Sequence, residues 1–131
     1  MAKPATYHSG FNADLLAAIP PDSPSILEVG CGTGALATQF MRINPKCRYV
    51  GVEVDRDASA LAAKNPDLSS AYRGSIEDFL RENEELVGRC GRDALDAFRC
   101  IVFGDTLEHL VNPHQVIKDC LDYLEDGGSI V

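Results

Sequence analysis

Between Glu28 and Gly34 the chain reads Glu-Val-Gly-Cys-Gly-Thr-Gly, three glycines at alternate positions directly after the apolar residues Ile26, Leu27 and Val29. A buried strand that runs into a turn stripped of β-carbons lets a ligand approach the backbone closely. Ala35 to Met41 continues as a helical pattern, so the turn should also offer the free N–H groups of a helix start. This chemistry suits the holding of a cofactor. Glu53 lies about twenty residues further on, at the end of a second apolar run, where an acid can accept both hydrogen bonds of a ribose diol. Asp55 competes for that role, because strand alternation would put residues 53 and 55 on one side. Together these residues point to a nucleoside-containing ligand.

Such residues need a scaffold, and the 131-residue chain carries the pattern of one. A loose lead-in from Met1 to Tyr7 precedes a short helix ending near Ile19, and Pro20, Pro21 and Pro24 then break the chain. The helix after the glycine turn stops at Asn44 and Pro45. Arg48 to Val54, rich in Val, reads as the second strand. Asp55 or Asp57 caps an Ala-rich helix that runs to about Lys64, before Pro66. Ala71 to Arg73 is a brief third strand. Ile76, Phe79, Leu80 and Val87 form the apolar stripe of a helix over 76–87 with a charged outer face, broken by the Gly88 to Gly91 stretch. Cys100 to Phe103 is fully apolar, in the manner of a buried parallel strand. A helix over 116–124 is closed by Asp126, Gly127 and Gly128, and Ser129 to Val131 opens a fifth strand. Strand and helix alternate throughout, which predicts one α/β domain over 1–131 with a parallel sheet.

Composition narrows the partners. The formal net charge of −8 argues against a nucleic-acid-binding surface and against docking to an anionic membrane. No apolar run approaches the length of a membrane span, and the first residues lack a signal-peptide pattern. The five cysteines (Cys31, Cys47, Cys90, Cys100 and Cys120) form no C-x-x-C pair and are odd in number, which predicts reduced thiols in a cytoplasmic protein.

Two families use a glycine cradle of this kind. Gly30-x-Gly32-x-x-Ala35 satisfies the dinucleotide fingerprint of nicotinamide-dependent enzymes. Read as Glu28-x-Gly30-x-Gly32-x-Gly34, the same residues resemble the first motif of class I S-adenosylmethionine-dependent methyltransferases. Glu28 belongs only to the second pattern, and a carboxylate there suits a cationic sulfonium and ammonium better than a pyrophosphate. Two later stretches favour the second family. Asp105-Thr-Leu-Glu108-His109-Leu110 resembles the D-x-L-E-H-L segment of a broad methyltransferase group, and Leu124-Glu-Asp-Gly127-Gly128 resembles that group's turn into strand five. The resemblance covers almost the whole chain and points to the small-molecule group of the family. It implies a doubly wound, mainly parallel, Rossmann-like sheet and S-adenosyl-L-methionine as cofactor. Class I methyltransferases normally continue with two more strands, so the sequence resembles the cofactor-binding part of one, cut off inside strand five with its C-terminal strands missing. Either a homodimer or a C-terminal segment of a parent protein is then expected over the unfinished edge. In one departure from the pattern, Phe98 is followed by Arg99 where similar proteins often carry Phe-Asp.

The resemblance implies roles residue by residue. It assigns cofactor binding to Glu28, Gly30, Cys31, Gly32, Gly34 and Glu53, and to Asp105 after strand four. It also assigns Ser75 and Ile76, in a loop where a backbone N–H and a small polar side chain face the adenine and Ile76 packs on the ring. Ser75, with Asp78 three residues on, reads equally well as a helix N-cap. Methyl transfer mainly requires alignment of nucleophile, methyl and sulfur and exclusion of water. A base is needed only for an acceptor that must lose a proton, and His109 is the candidate, with packing on its own helix as the alternative. Asp105-x-x-Glu108-His109 also resembles the E-x-x-E-H arrangement with which small-RNA 2′-O-methyltransferases and some ubiquinone-pathway O-methyltransferases hold a divalent ion. On a helix the three would share a face and suit Mg²⁺, Mn²⁺ or Zn²⁺, although Asp shortens the reach and only His114 offers a second imidazole nearby. His8, within Tyr7 to Gly10, is a candidate lid residue. The expectation is a small-molecule acceptor and no metal. The alternatives are a non-catalytic binding module of a larger protein and a metal-assisted 2′-O-methyltransferase-like enzyme.

Overall fold

The apolar runs become five strands: β1 (Ser25–Val29), β2 (Arg48–Glu53), β3 (Ser70–Arg73), β4 (Phe98–Phe103) and β5 (Leu124–Ile130). They are seen in a computed structural model that describes residues 10–91, 97–104 and 106–131, apart from the side chain of Glu108. The sheet order is β3-β2-β1-β4-β5, and every pairing is parallel. Between the strands lie α1 (Ala13–Ala18), α2 (Ala35–Ile43), α3 (Arg56–Ala63), α4 (Ile76–Cys90) and α5 (Pro113–Cys120). No helix among the described residues is long and apolar enough to cross a membrane.

Burial follows position in the sheet. All five residues of β1 are buried, as expected of a central strand flanked by β2 and β4. The edge strand β3 is exposed at Ser70 and Arg73. Side chains alternate between two faces. Ile26, Tyr49, Cys100 and Val102 meet Leu36, Ala37 and Phe40 of α2 on one face, with Leu15 and Leu16 of α1 at its margin. Leu27, Val29, Val50, Val52, Ile101 and Phe103 meet α4 and α5 on the other. The cysteines are all free; Cys90 is exposed and the other four are buried. Burial pushes the Cys47 and Cys100 thiols up to about 11 and Cys120 to about 12, so these three are inert at neutral pH.

Several boundaries differ from the sequence reading. The fourth helix does not break at Gly88: nothing stands near that residue, its cost is only about 1 kcal/mol, and the helix runs to Cys90, where the Gly91 N–H closes it on the Val87 carbonyl. Strand β4 starts two residues early, because Phe98 is itself core and carries the Arg48 guanidinium over its ring at 4.7 Å. The departure at Arg99 has a partner on each side: its N–H donates to the Ser25 hydroxyl (2.9 Å) and its guanidinium to the Asp126 carbonyl (3.0 Å).

The largest correction concerns β5. Helix α5 ends at Cys120, a 3-10 turn over Leu121–Tyr123 drops Tyr123 into the core, and the strand has begun by Leu124. The Asp126-Gly127-Gly128 stretch is therefore not a turn before the strand but a bulge within it. Phe98 pairs with Leu124 and Cys100 with Ser129, so β5 spends five residues where β4 spends two.

Candidate functional site

The sheet topology brings the ends of four strands together. From β1 the chain winds outward through β2 to β3, and then returns to place β4 on β1's other side, so the order reverses between β1 and β4. In open parallel sheets, the crevice beyond the carboxyl ends of the strands at such a reversal is where ligands sit. The glycine turn follows β1, Glu53 ends β2, Gly74 and Ser75 follow β3, and Gly104 to His109 follow β4.

The glycine turn is tied down rather than bare. The Gly30 and Cys31 N–H groups both donate to the Val52 carbonyl (2.8 and 3.1 Å). Gly32 N–H donates to Glu53 Oε1 (2.8 Å), and Gly34 N–H to the Cys31 carbonyl (3.0 Å). Four N–H groups of the turn are thus already engaged, and the first turn of α2 follows the N-cap Gly34, which contributes no side-chain cap. Gly34 sits at φ +91°, which an L side chain rarely adopts, and a β-carbon there would press on Asn65 and Leu68. A β-carbon on Gly30 would collide with the Thr106 side chain, whose hydroxyl donates to the Val29 carbonyl at 3.1 Å.

Asn65 was missed in the sequence, where Asn-Pro reads only as a helix stop. Its amide nitrogen reaches the Thr33 carbonyl (3.1 Å), the Gly34 carbonyl (3.2 Å) and the Thr38 hydroxyl (3.2 Å), clamping the start of α2. Asn65→Ala is expected to cost about 1–2 kcal/mol in urea denaturation, the worth of this part-buried set. A loss below about 0.3 kcal/mol would show that the clamp is idle.

Glu53 is 7 % exposed, and its carboxylate joins two turns. Oε1 accepts from Gly32, as above, and Oε2 accepts from the Asp55 N–H at 2.8 Å. A carboxylate has about four acceptor positions, so one on each oxygen stays open. Asp55 stands in a different setting: β2 ends at Glu53, so alternation no longer aligns the two, and Asp55 Oδ2 caps α3 through the Ala58 N–H (2.8 Å).

Glu28 lies on the same sheet face as Ile26 and is 4 % exposed. The Tyr49 hydroxyl donates to its Oε1 at 2.7 Å. Burial above all, with a contribution from the Glu53 charge, pushes the Glu28 carboxyl up to about 7, against the lowering effect of the Tyr49 hydrogen bond. Burial, then the Glu28 charge, likewise raises the Tyr49 hydroxyl. Tyr49 also escaped the sequence reading, although alternation along β2 puts it on the Glu53 side.

The remaining expected residues are scattered. The Cys31 side chain turns into the core against Gly51, where a β-carbon would meet its sulfur at 2.6 Å, so only its backbone borders the turn. Ser75 caps α4, its hydroxyl accepting from the Asp78 N–H at 3.0 Å. Ile76, 2 % exposed, packs in the core on the α4 side of the sheet. His109 is exposed at the end of a 3-10 turn over Leu107–His109, not on an α-helix. Asp105, the Glu108 side chain and His8 lie outside the described residues. His114 is exposed on α5. A separate cavity of 260 Å³ between α4 and α5, floored by Leu80 and Val116, opens on the sheet face opposite Glu28.

The residues present fit an adenosyl ligand: a buried carboxylate with two open acceptor positions, an uncapped helix start and glycines lining the approach. Comparisons agree. The family model described as "Methyltransferase domain" matches residues 6–131. The ubiquinone biosynthesis O-methyltransferase of Glaesserella parasuis is 29 % identical over 109 residues, 80 % of this chain and 42 % of that protein. Its counterpart in Parvibaculum lavamentivorans is 28 % identical over 118 residues, 90 % of this chain and 43 % of that protein. The chain thus spans about two fifths of the length of these relatives. Among solved structures, the plantazolicin methyltransferase BpumL in complex with S-adenosylhomocysteine superposes with a TM-score of 0.66 at 18 % identity, over 92 % of this chain and 41 % of that one, a likeness of fold. With a parallel five-stranded sheet in the order 3-2-1-4-5 and a family match over nearly its whole length, the chain belongs to the class I S-adenosylmethionine-dependent methyltransferase family.

Proposed function

We propose that the crevice between β1 and β4 binds S-adenosyl-L-methionine and that the protein transfers its methyl group to a small-molecule acceptor. The observation that carries this reading is the Glu53 carboxylate, buried at the end of β2, bonded to the glycine turn and still able to accept two hydrogen bonds. The similarity to O-methyltransferases of ubiquinone biosynthesis supports a hydroxyl as the accepting group. When bound, the cofactor supplies a methyl group on a sulfonium, already activated for in-line displacement.

What this chain contributes is placement. Glu53 takes the ribose diol, the start of α2 faces the amino-acid end, and Glu28 supplies negative charge behind the turn. The backbone at Ser75 and Ile76 borders the adenine. His109, exposed beside the crevice, takes the proton of a hydroxyl acceptor. Calorimetric titration with S-adenosylhomocysteine, with NADH as control, tests the reading. Saturable one-to-one binding of the first alone is expected. A folded protein that binds NADH, or neither ligand, overturns it.

A further inference from the structure

The Glu28 carboxyl has one property that placement alone does not use: it is buried without a cation. Tyr49 and Glu53 face it from β2 and Cys31 from the glycine turn; Cys100 of β4 and Cys47 lie in the same core. Helix α2 contributes only Leu36, Ala37 and Phe40 among its buried residues. Among the described residues, then, no positive group answers a charge on Glu28. Burial and Glu53 favour the neutral acid, Tyr49 favours the anion, and the balance falls at about 7. A carboxyl poised in this way responds to whatever charge arrives next to it.

We infer that Tyr49 is a positioning residue of the cofactor site, and that the Glu28–Tyr49 pair gives up a proton when a cationic ligand enters the crevice. The inference rests on the reading that the ligand carries a sulfonium. The O–H bond on the Glu28 oxygen not held by Tyr49 breaks, the proton passes to solvent, and the electron pair stays as carboxylate charge. Nothing is oxidised or reduced. The Tyr49 hydroxyl stays on Oε1 throughout, since that oxygen accepts in the acid and in the anion alike. Attraction between cation and carboxylate drives the release. S-adenosylhomocysteine, which lacks the sulfonium, draws out less of the proton.

The test is calorimetry on the intact chain with both adenosyl ligands, in buffers of different ionisation enthalpy. At about pH 6.5 the sulfonium ligand is expected to release up to roughly three quarters of a proton, and the neutral thioether clearly less. Affinity for the sulfonium ligand should climb up to about tenfold per pH unit below the bend and level above it. Tyr49→Phe removes the hydrogen bond that favours the anion, so the bend moves up by about one pH unit. Near pH 7 its affinity falls about fivefold, and it recovers at about pH 9. Glu28→Gln abolishes the slope and the difference between the two ligands. A uniform loss at every pH in Tyr49→Phe would mark a merely structural tyrosine and overturn the inference. So would pH-flat, buffer-independent binding of both ligands to the native chain, while leaving the cofactor reading intact. Binding of neither ligand overturns both.

Discussion

Glu53→Ala is expected to weaken S-adenosylhomocysteine binding by at least about 100-fold and to destabilise the fold by about 3 kcal/mol. Two effects add. The Gly32 and Asp55 N–H groups lose their acceptor in a site that is 7 % exposed, and each unpaired buried donor costs about 1–3 kcal/mol. The ribose loses two charge-assisted hydrogen bonds, and about 2.8 kcal/mol corresponds to 100-fold. Glu53→Gln separates these effects. Its oxygen can serve only one of the two amides while its NH₂ confronts the other, so it should fold better than the Ala variant and bind little better. Urea denaturation and calorimetry read the two effects apart. A folded Glu53→Ala protein that binds within about threefold of the native chain would remove Glu53 from the site.

The second large effect is a pH dependence of stability at Glu28. Unfolded, its carboxyl titrates at the ordinary 4.5; folded, burial holds it at about 7. Below the lower value both states are protonated and the group contributes nothing to the slope. Between the two values the unfolded state has lost the proton that the folded state retains, so stability falls as pH rises. Above the upper value the full penalty, about 3 kcal/mol, persists. Glu28→Gln keeps an acceptor for Tyr49 and carries no charge. It should match the native chain near pH 4 and exceed it by about 3 kcal/mol near pH 8. Equal differences at both ends of that range would refute the assignment. A residue that costs stability at working pH without a ligand is consistent with one kept for binding.

Legibility in the sequence divided along physical lines. The strand–turn–helix at Ile26 to Met41 was readable because pattern and local chemistry agree there. That β2 ends at Glu53, with Asp55 already capping α3, was not legible, because that boundary is set by the sheet and not by local preference. The fourth helix was cut short in the reading because Gly88 looks like a breaker, yet an exposed glycine inside a long helix costs too little to end it. The β5 bulge was invisible, since the two glycines signal a bend without saying whether the strand has begun. Tyr49 acts on a partner 21 residues away and Asn65 on partners 27, 31 and 32 residues away, through contacts that exist only after the strands pair.

The reversal of strand order also governs how the chain assembles. Contacts that join β1 to β2, or β2 to the start of β3, link residues 20 or 21 positions apart. The contact of Ser25 with Arg99, where β4 joins β1, spans 74 positions. Closing that longer loop costs about 1 kcal/mol more in chain entropy, so the β1–β4 seam is the slower join to nucleate. The glycine turn and Glu53 stand on one side of the seam and the segment after β4 on the other. A ligand gripped from both sides therefore acts as a clasp on that join, and its occupancy opposes any opening in which β4 and β5 part from the rest of the sheet.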